Sequence, residues 1–233
     1  GSVWLVVAPL AMLVVLTVVF RQVMGVRWPM TGSEDSDLAF ALRLFAGLAI
    51  FQFVAECINR SPTLVLAQPQ LVKKVVFPLE LLAWVSVAGS GIGFLVSAAL
   101  VVVGTAFTPE GLTWPALCLP LIWLPLVPLL LGLSWGLSAI GTFVPDVGQV
   151  LPPAMSALMF LSPIFYPVEA LPAAGRAFMV LNPLAEPITQ TRLVLFEGHW
   201  PAWGAWSVHA LACLMVAVVG AALFARVRAG FAD

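Results

Sequence analysis

The sequence is short of charge. Only 9% of its 233 residues are Asp, Glu, Lys or Arg, whereas 62% are hydrophobic, and the mean hydropathy is +1.08. A soluble domain is typically about 25% charged, so this composition excludes an ordinary soluble protein and predicts an integral membrane protein. The net charge of −1 provides no field that would attract nucleic acid, and we expect no nucleic-acid partner.

Residues that catalyse reactions or bind metals are also scarce. The three cysteines, Cys57, Cys118 and Cys213, lack CxxC spacing, and His199 and His209 are distant from other ligand types. This pattern favours buried thiols over disulfide or metal chemistry. There is no Ser-His-Asp set, Gly-rich phosphate loop or nucleotide-binding motif. We therefore expect a non-enzymatic chain with no cofactor, in which any driving ATP is hydrolysed by another protein.

What the sequence has instead is long apolar runs. Charge-free stretches cover residues 81–109, 111–145, 147–168 and 198–225. A membrane-crossing helix needs about 20 apolar residues, and backbone in lipid must form its hydrogen bonds internally, which requires helices. The sequence therefore predicts an all-α membrane fold, a single domain over residues 1–233, with six spans. These cover residues 3–20, 38–56, 75–103, 114–140, 147–161 and 203–224.

Several local signals refine these spans. Asp35, Ser36 and Asp37 are candidate N-caps for the second span. The prolines at 115, 120, 125 and 128 predict a kinked fourth span that is packed against protein. Arg43 lies about two turns inside the second span and is expected to extend its charge to the outer interface.

The distribution of charge indicates an orientation. Six spans place both termini on one side, and basic residues in short loops favour the cytoplasm. That side would carry Arg60, Lys73, Lys74, Arg226 and Arg228, and the other side Arg21, Arg27, Arg176 and Arg192. Most acidic residues fall on the second side, so we place the first side in the cytoplasm. The chain opens directly on an apolar run, and we expect an N-terminal segment to precede it.

The connection after the second span, residues 59–80, reads NRSPTLVLAQPQLVKKVVFPLE. Ser61 followed by Pro62 predicts a helix start. Such a helix could lie in the interface with Lys73 and Lys74 on lipid headgroups, or it could dock into a partner subunit. Glu56 and Glu80 flank this connection and are interpreted as boundary charges, paired with Arg60 or Lys73. Asp146, in the turn before the fifth span, could cap that span or contact a partner.

Residues 159–198 contain too much apolar surface for a loop and too much charge for a span. Pro163 and Pro167 should end the fifth span, and a helix of about ten residues is expected over 172–181. A second helix should have Asn182 as N-cap, Pro183 at its first position and Gly198 as its stop. Neither helix is long enough to cross, so we predict two short re-entrant helices between spans five and six, lining a protein-surrounded path.

Five segments, in this order, resemble the permease subunit of polysaccharide-exporting ABC transporters, the Wzm type that moves lipid-linked O-antigen. They are GSVWLVVAPL, the 59–80 connection ending in the Lys-rich Phe-Pro-Leu-Glu motif, FLSPIFYPVEALP, LNPLAEPITQTRLVLFEG and the terminal RAGFAD. The chain departs from the family at Pro145, where Arg is usual before Asp146. Capsule-exporting relatives can carry proline there, so capsular polysaccharide and teichoic acid remain alternative substrates.

The resemblance implies a homodimer in the bacterial inner membrane that works with two copies of an ATPase subunit, which binds ATP and Mg. It implies that the 59–74 loop couples to that ATPase and that 163–198 forms periplasmic helices capping a channel for undecaprenyl-linked polysaccharide. On this reading the coupling residues are Arg60, Ser61, Gln68, Gln70, Lys73, Lys74 and Asp146. The channel and gate residues are Trp4, Phe160, Phe165, Tyr166, Glu169, Arg176, Asn182, Glu186 and Arg192.

Alternatives remain for individual residues and for the function. The aromatic side chains could stack on sugars or lie in the interfacial aromatic belt. Arg176 and Arg192 could meet the lipid's phosphates or pair with Glu169 and Glu186. A membrane glycosyltransferase or polymerase is the rival of a different class, and it would need acidic residues in an outer loop. A proton-coupled exporter is disfavoured because intramembrane carboxylates are lacking.

Overall fold

The computed structural model of the chain describes residues 3–19, 36–68, 78–109 and 111–228. Within these ranges every regular element is helical, which confirms the all-α prediction. Short 3-10 helices cover Ser61–Thr63, Trp114–Cys118 and Val168–Ala170. The α-helices are α1 (Trp4–Leu16), α2 (Asp37–Arg60), α3 (Leu81–Thr105), α4 (Leu119–Trp123), α5 (Leu126–Phe143), α6 (Val147–Leu161), α7 (Ala173–Met179), α8 (Ala185–Phe196) and α9 (Trp203–Val227).

Four helical stretches in the described ranges are long and apolar enough to cross a membrane. They are Asp37–Thr63, Leu81–Thr105, Trp114–Phe143 and Trp203–Val227, and they correspond to the predicted second, third, fourth and sixth spans. The remaining two predicted spans are the apolar helices α1, with 13 residues, and α6, with 15 residues. At 1.5 Å per residue these reach about 20 and 22 Å, less than the roughly 30 Å hydrocarbon core. The chain is a multi-pass helical membrane protein, and the exact six-span topology stays a prediction.

The predicted fourth span is interrupted where its prolines lie. It begins as the 3-10 helix Trp114–Cys118, continues as α4 and restarts as α5 after Pro125. Proline has no N–H to donate and its ring clashes with the carbonyl one turn earlier, which explains the break. The predicted kink is therefore confirmed, although the helix continues to Phe143 rather than ending at residue 140.

Serines at the two ends of α2 behave differently. The N–H of Ala39 donates to Ser36 Oγ at 3.1 Å, so Ser36 caps the helix start as predicted, whereas Asp35 lies outside the described residues. Ser61 does not cap a new helix, because the chain runs on from Arg60 directly into a 3-10 turn. Ser61 Oγ instead donates back to the Cys57 carbonyl at 2.6 Å. The prediction of a helix start at Ser61 was wrong in this respect.

The chain folds into two compact units that alternate along the sequence. Among the described residues, unit 1 comprises those within 1–52, 93–122 and 159–206, and unit 2 comprises those within 53–92, 123–158 and 207–233. The prediction that all 233 residues form one domain is not tested by this division.

In unit 1 the first half of α2 is surrounded by protein. Phe40, Leu42 and Leu44 are at most 1% exposed. A Cβ built on Gly104 of α3 would lie 2.7 Å from Leu42 Cδ2, so α3 approaches α2 closely. Lipid tails are as apolar as leucine, and such contacts therefore stabilise through tight packing rather than exclusion of water.

In unit 2, α5 and α9 cross in close contact. A Cβ built on Gly220 would lie 2.0 Å from the Gly132 carbonyl oxygen, and one built on Gly132 would lie 2.4 Å from the Val216 carbonyl oxygen. The two backbones therefore touch at a point where only glycine fits. Small residues commonly permit this approach in membranes.

Candidate functional site: a short-helix cluster and an anchored loop

The segment between α6 and α9 contains the two predicted short helices, both in unit 1. α7 has 7 residues and α8 has 12, or about 10 and 18 Å at 1.5 Å per residue, so neither can cross. Pro163 and Pro167 follow the end of α6, and Gly198 has a φ of +66°, the left-handed conformation of a helix stop. The predicted short pair is thus confirmed, with both helices shorter than expected.

The two short helices differ in how the chain covers them. In α8, nine of twelve residues are buried, including the polar Gln190, Thr191 and Arg192. In α7 only Met179 is buried, and the residues just after it, Val180 and Leu181, are 83% and 79% exposed. Of this pair, α8 is an internal element of unit 1, and α7 is a surface element.

Arg192 joins three parts of unit 1 through backbone carbonyls. Its guanidinium donates from Nε to the Arg43 carbonyl at 3.2 Å, and from its two terminal nitrogens to the Pro163 and Ile164 carbonyls. These acceptors lie on α2 and on the turn after α6. Arg192 is only 6% exposed, and charge-assisted bonds are about twice as strong as neutral ones. We name Arg192 with its acceptors and Arg43 the arginine junction.

The charge at this junction is partly balanced by acidic groups. Arg43, Arg192, Glu169 and Glu197 line one polar cavity of about 60 Å³. Burial, followed by the like charge of Arg43, lowers the pKa of Arg192 to about 9, while Glu169 and Glu197 act in the opposite direction. Arg192 therefore remains a cation at neutral pH. Its predicted partner Glu186 accepts instead from Gln190 Nε2 at 2.7 Å.

Arg43 does not extend to the membrane interface, and that expectation was wrong. Its side chain is 4% exposed, and its guanidinium carbon lies 5.3 Å from the centre of the Phe196 ring. Cation–π contacts of this kind stabilise a desolvated guanidinium. Phe196, at the end of α8, thus covers the guanidinium of Arg43 and separates it from lipid headgroups.

Asn182 holds the entry to α8. Its Nδ2 donates to the Leu161 carbonyl at 3.1 Å and to Ser162 Oγ at 3.0 Å, and its Oδ1 accepts from the Leu184 N–H at 2.9 Å. The helix begins at Ala185 with Leu184 as its formal N-cap, so the predicted N-cap position was wrong by two residues. Asn182 organises the preceding turn and ties it to the end of α6.

Three of the four aromatic candidates lie together at and just after the end of α6. Phe160 and Phe165 stack with ring centres 6.0 Å apart, and Tyr166 Oη donates to the Phe160 carbonyl at 3.2 Å. Phe160 is 65% exposed and Trp4 is 69% exposed. Arg176 is also exposed, with its Nε bonded to the Leu171 carbonyl. The structure brings Phe160, Phe165 and Tyr166 together, and their predicted contact with sugars stays a prediction.

In unit 2 the described parts of the 59–80 connection are anchored at both ends. Ser61 Oγ lies 3.0 Å from Ser134 Oγ of α5, and a Cβ built on Gly141 would lie 2.5 Å from the Pro62 carbonyl oxygen. At the other end, Trp135 Nε1 donates to the Glu80 carbonyl at 3.1 Å. We name these contacts of Ser61, Pro62 and Glu80 with α5 the loop anchors.

The remaining coupling candidates are distributed around these anchors. Arg60 pairs with Glu56 at 2.7 Å, as predicted for a boundary charge. Glu80 pairs with Arg228 near the end of α9 rather than with Lys73. Gln68 and Asp146 are exposed. The predicted coupling residues Gln70, Lys73 and Lys74 lie outside the described residues.

Comparison with known proteins supplies the family. The family model described as ABC-2 type transporter matches residues 1–196. The chain belongs to the ABC-2 type transporter family.

Curated proteins align along almost the whole ABC-2 chain. An O-antigen export system permease protein, RfbA, of Klebsiella pneumoniae is 25% identical, over 100% of this chain and 86% of the relative. The RfbA of Myxococcus xanthus is 23% identical, over 100% of this chain and 87% of the relative. The polysialic acid transport protein KpsM of Escherichia coli is 24% identical, over 96% of this chain and 84% of the relative. This chain is therefore similar to O-antigen export permeases and to a polysialic acid transport protein.

Some residues of this ABC-2 transporter were missed by sequence reasoning. The stretch GLSWG, residues 132–136, has GxxxG spacing, which commonly marks a close helix contact in membranes. That signal was available for a close contact on α5, which the structure places at Gly132 and not at Gly136, but it did not identify α9 as the partner. Gly141 and Ser134 carried no comparable signal, because their importance depends on Ser61 and Pro62, which are distant in sequence.

Proposed function

We propose that this chain is the membrane permease of an ATP-driven exporter that moves a lipid-linked polysaccharide, of the O-antigen class, across the bacterial inner membrane. The observation that carries the proposal is the alignment of an O-antigen export permease along 100% of this chain and 86% of its own length. Likeness over a fragment could reflect a shared helical scaffold alone. An alignment along the whole chain also includes α7 and α8 (residues 173–196), which we name the short-helix cluster, and the connection after α2 (residues 59–80).

The composition and the geometry support a conduit rather than an enzyme. A polymer with many hydroxyl groups needs a path that is not lipid, and non-spanning backbone is tolerated at membrane depth only beside protein or water. The short-helix cluster provides such backbone, with a polar cavity lined by Arg43, Arg192, Glu169 and Glu197. Two copies of the permease would enclose the path between them, with Trp4, Phe160, Phe165 and Tyr166 available to stack on sugar rings.

The energy would come from a separate subunit. Family membership implies an ATPase partner, and we propose two copies of it, each binding ATP and Mg. The loop after α2 and the turn at Asp146 would receive the motion of that partner. Charge reversal at Lys73 and Lys74 should then weaken assembly with the ATPase or abolish the stimulation of its activity.

Capsular polysaccharide export is a second candidate, since KpsM, a polysialic acid transport protein, aligns over 96% of this chain. Both candidates are exporters and share the same physical requirements. The two candidates are distinguished by which surface polymer is lost when the protein is removed from its own host. Loss of the lipopolysaccharide O-chain indicates the first candidate, and loss of the capsule indicates the second.

A deletion experiment tests export against polymer synthesis. Removing the chain should leave undecaprenyl-linked polymer accumulated on the cytoplasmic side and absent from the cell surface. Re-expression should restore surface polymer, and Glu169→Gln with Glu186→Gln should leave synthesis intact. Loss of the polymer itself in the deletion strain would favour a glycosyltransferase or polymerase and contradict the proposal.

A further inference from the structure

Both described ends of the connection after α2 meet the same helix. At the first end, Ser61 Oγ bonds Ser134 Oγ at 3.0 Å, and Pro62 lies against Gly141. At the second end, the Glu80 carbonyl accepts from Trp135 Nε1 at 3.1 Å. All these contacts are within unit 2. A displacement of the connection therefore acts on α5 at the consecutive residues Ser134 and Trp135 and again at Gly141, nearly two turns further along the helix.

A small apolar cluster also joins this connection to α5. Val65, Leu79, Ala139 and Phe224 pack together, with Trp135 against them. Buried side chains of this kind are close-packed and transmit displacement with little compression. Val65 and Leu79 come from the two described parts of the connection, Ala139 comes from α5, and Phe224 comes from α9. It therefore stiffens the joint that the loop anchors define.

The Pro62–Gly141 contact leaves no room for adjustment. A Cβ on Gly141 would lie 2.5 Å from the Pro62 carbonyl oxygen and 2.7 Å from its Cα, both of which are backbone atoms. Five residues earlier on α5, Gly136 is different: the described part of the chain leaves the space around an added Cβ open to 4 Å. The same helix thus supplies one glycine that is in close contact and one that is not.

A displacement of α5 would reach α9 through a direct contact of the two helix backbones. A Cβ on Gly220 would lie 2.0 Å from the Gly132 carbonyl oxygen. Backbone-to-backbone contact removes the flexible side chains that would otherwise absorb a small shift. The Glu80–Arg228 ion pair adds a second connection between the loop and the end of α9.

We propose that the loop after α2 acts on the membrane helices through α5, with the Pro62–Gly141 contact as the input and the Gly132–Gly220 crossing as the output. The inference rests on the proposed function, because it assumes that this loop receives the motion of the ATPase. It makes Gly141 and Ser134 positioning residues for transport: they touch neither polymer nor nucleotide, and they set how far hydrolysis displaces α5.

The test compares Gly141→Ala with Gly136→Ala in the full complex of permease and ATPase, reconstituted in lipid vesicles. The readout is polymer exported per ATP hydrolysed, with assembly measured by co-purification. Gly141→Ala should hydrolyse ATP within about twofold of the unmodified complex but export about tenfold less polymer per ATP, since a shifted two-state equilibrium changes populations on that scale. Gly136→Ala should match the unmodified complex in both.

A second pair keeps the test decisive where Gly141→Ala fails to assemble. Ser134→Ala removes the bond to Ser61 without adding volume, whereas Ser156→Ala removes an exposed hydroxyl bonded within its own helix, α6. Ser134→Ala should lower export per ATP and Ser156→Ala should not. Equal ratios in the two members of whichever pair assembles would overturn the inference, as would a proportional fall of hydrolysis and export. Absence of ATP-dependent export in the unmodified complex would instead count against the proposed function.

Discussion

The arginine junction allows a sharp prediction about stability. Replacing Arg192 by Met removes the guanidinium but keeps a long apolar side chain in roughly the same volume. Three carbonyl groups, those of Arg43, Pro163 and Ile164, would lose a buried donor. Arg192 is 6% exposed, so water cannot easily replace those bonds.

The magnitude follows from the number of acceptors. A buried polar group left without its partner costs about 1–3 kcal/mol. Three such losses are not additive, because the carbonyls share one donor and the turn after α6 can relax. We expect about 3–5 kcal/mol, a large part of the 5–15 kcal/mol that typically stabilises a folded protein. At about 2–4 °C per kcal/mol for a chain of this size, the Tm should fall by about 6–20 °C.

Matched variants separate burial from residue type. Arg176 is an exposed arginine on α7 that donates to one carbonyl, and Arg176→Met should shift the Tm by less than about 2 °C. Arg192→Lys keeps the charge, but a compact ammonium cannot reproduce the fork of a guanidinium, so its Tm should fall between those of the unmodified protein and Arg192→Met. Thermal unfolding of the detergent-purified protein measures all three. Equal shifts for Arg192→Met and Arg176→Met would refute the assignment of Arg192 as a structural junction.

Three further predictions concern other contacts. Asn182→Ala should cost about 1–3 kcal/mol and lower the Tm, because the turn before α8 loses its bonds to Leu161, Ser162 and Leu184; an unchanged Tm would contradict this. Gly220→Ala should lower the free energy of unfolding by about 1–3 kcal/mol or prevent folding. On the same helix, a Cβ added at Gly204 would meet no described atom within 4 Å, so Gly204→Ala should be tolerated. Comparable expression and Tm for the two variants would contradict this. In a protein without reactive native thiols, Ala173→Cys should react with an impermeant thiol reagent added outside, and Ala185→Cys, whose site is 6% exposed, should react far more slowly; labelling of Ala173→Cys only from the cytoplasm would overturn the orientation.

The positions of helix ends were largely predictable because proline and glycine act locally. Pro125 interrupts the fourth span and Gly198 ends α8, as their backbone chemistry requires. Ser36 was likewise a recognisable cap. Such signals depend only on neighbouring residues, and they were available from the sequence.

The fate of charged residues could not be predicted in the same way. Arg43 was expected at the membrane interface, but Phe196, more than a hundred residues later, covers it. Arg192 was expected to meet phosphates or carboxylates, and it bonds backbone carbonyls that become available only when the turn after α6 folds against α2. Hydrophobic periodicity identifies which residues avoid water but not which distant segment buries a given cation.

The environment of α8 likewise depends on residues that are distant in the sequence. We predicted a short helix that enters the outer leaflet only where protein surrounds it, and nine of its twelve residues are buried within unit 1. Its entry into the leaflet stays a prediction. The exposed apolar surface lies on and after α7, at Phe178, Val180 and Leu181. The sequence of α8 alone is compatible with either environment, and only the folded partners decide between them.

The most direct test of the central claim is ATP-dependent translocation of polymer. Inside-out membrane vesicles containing the chain and its ATPase partner would be supplied with labelled undecaprenyl-linked polysaccharide, and protection from an added glycan-cleaving enzyme would be measured. The account predicts that ATP makes the polymer protected, and that protection disappears when the Walker A lysine of the partner is replaced or the chain is omitted. Protection that is independent of ATP, or elongation of the polymer without translocation, would contradict it.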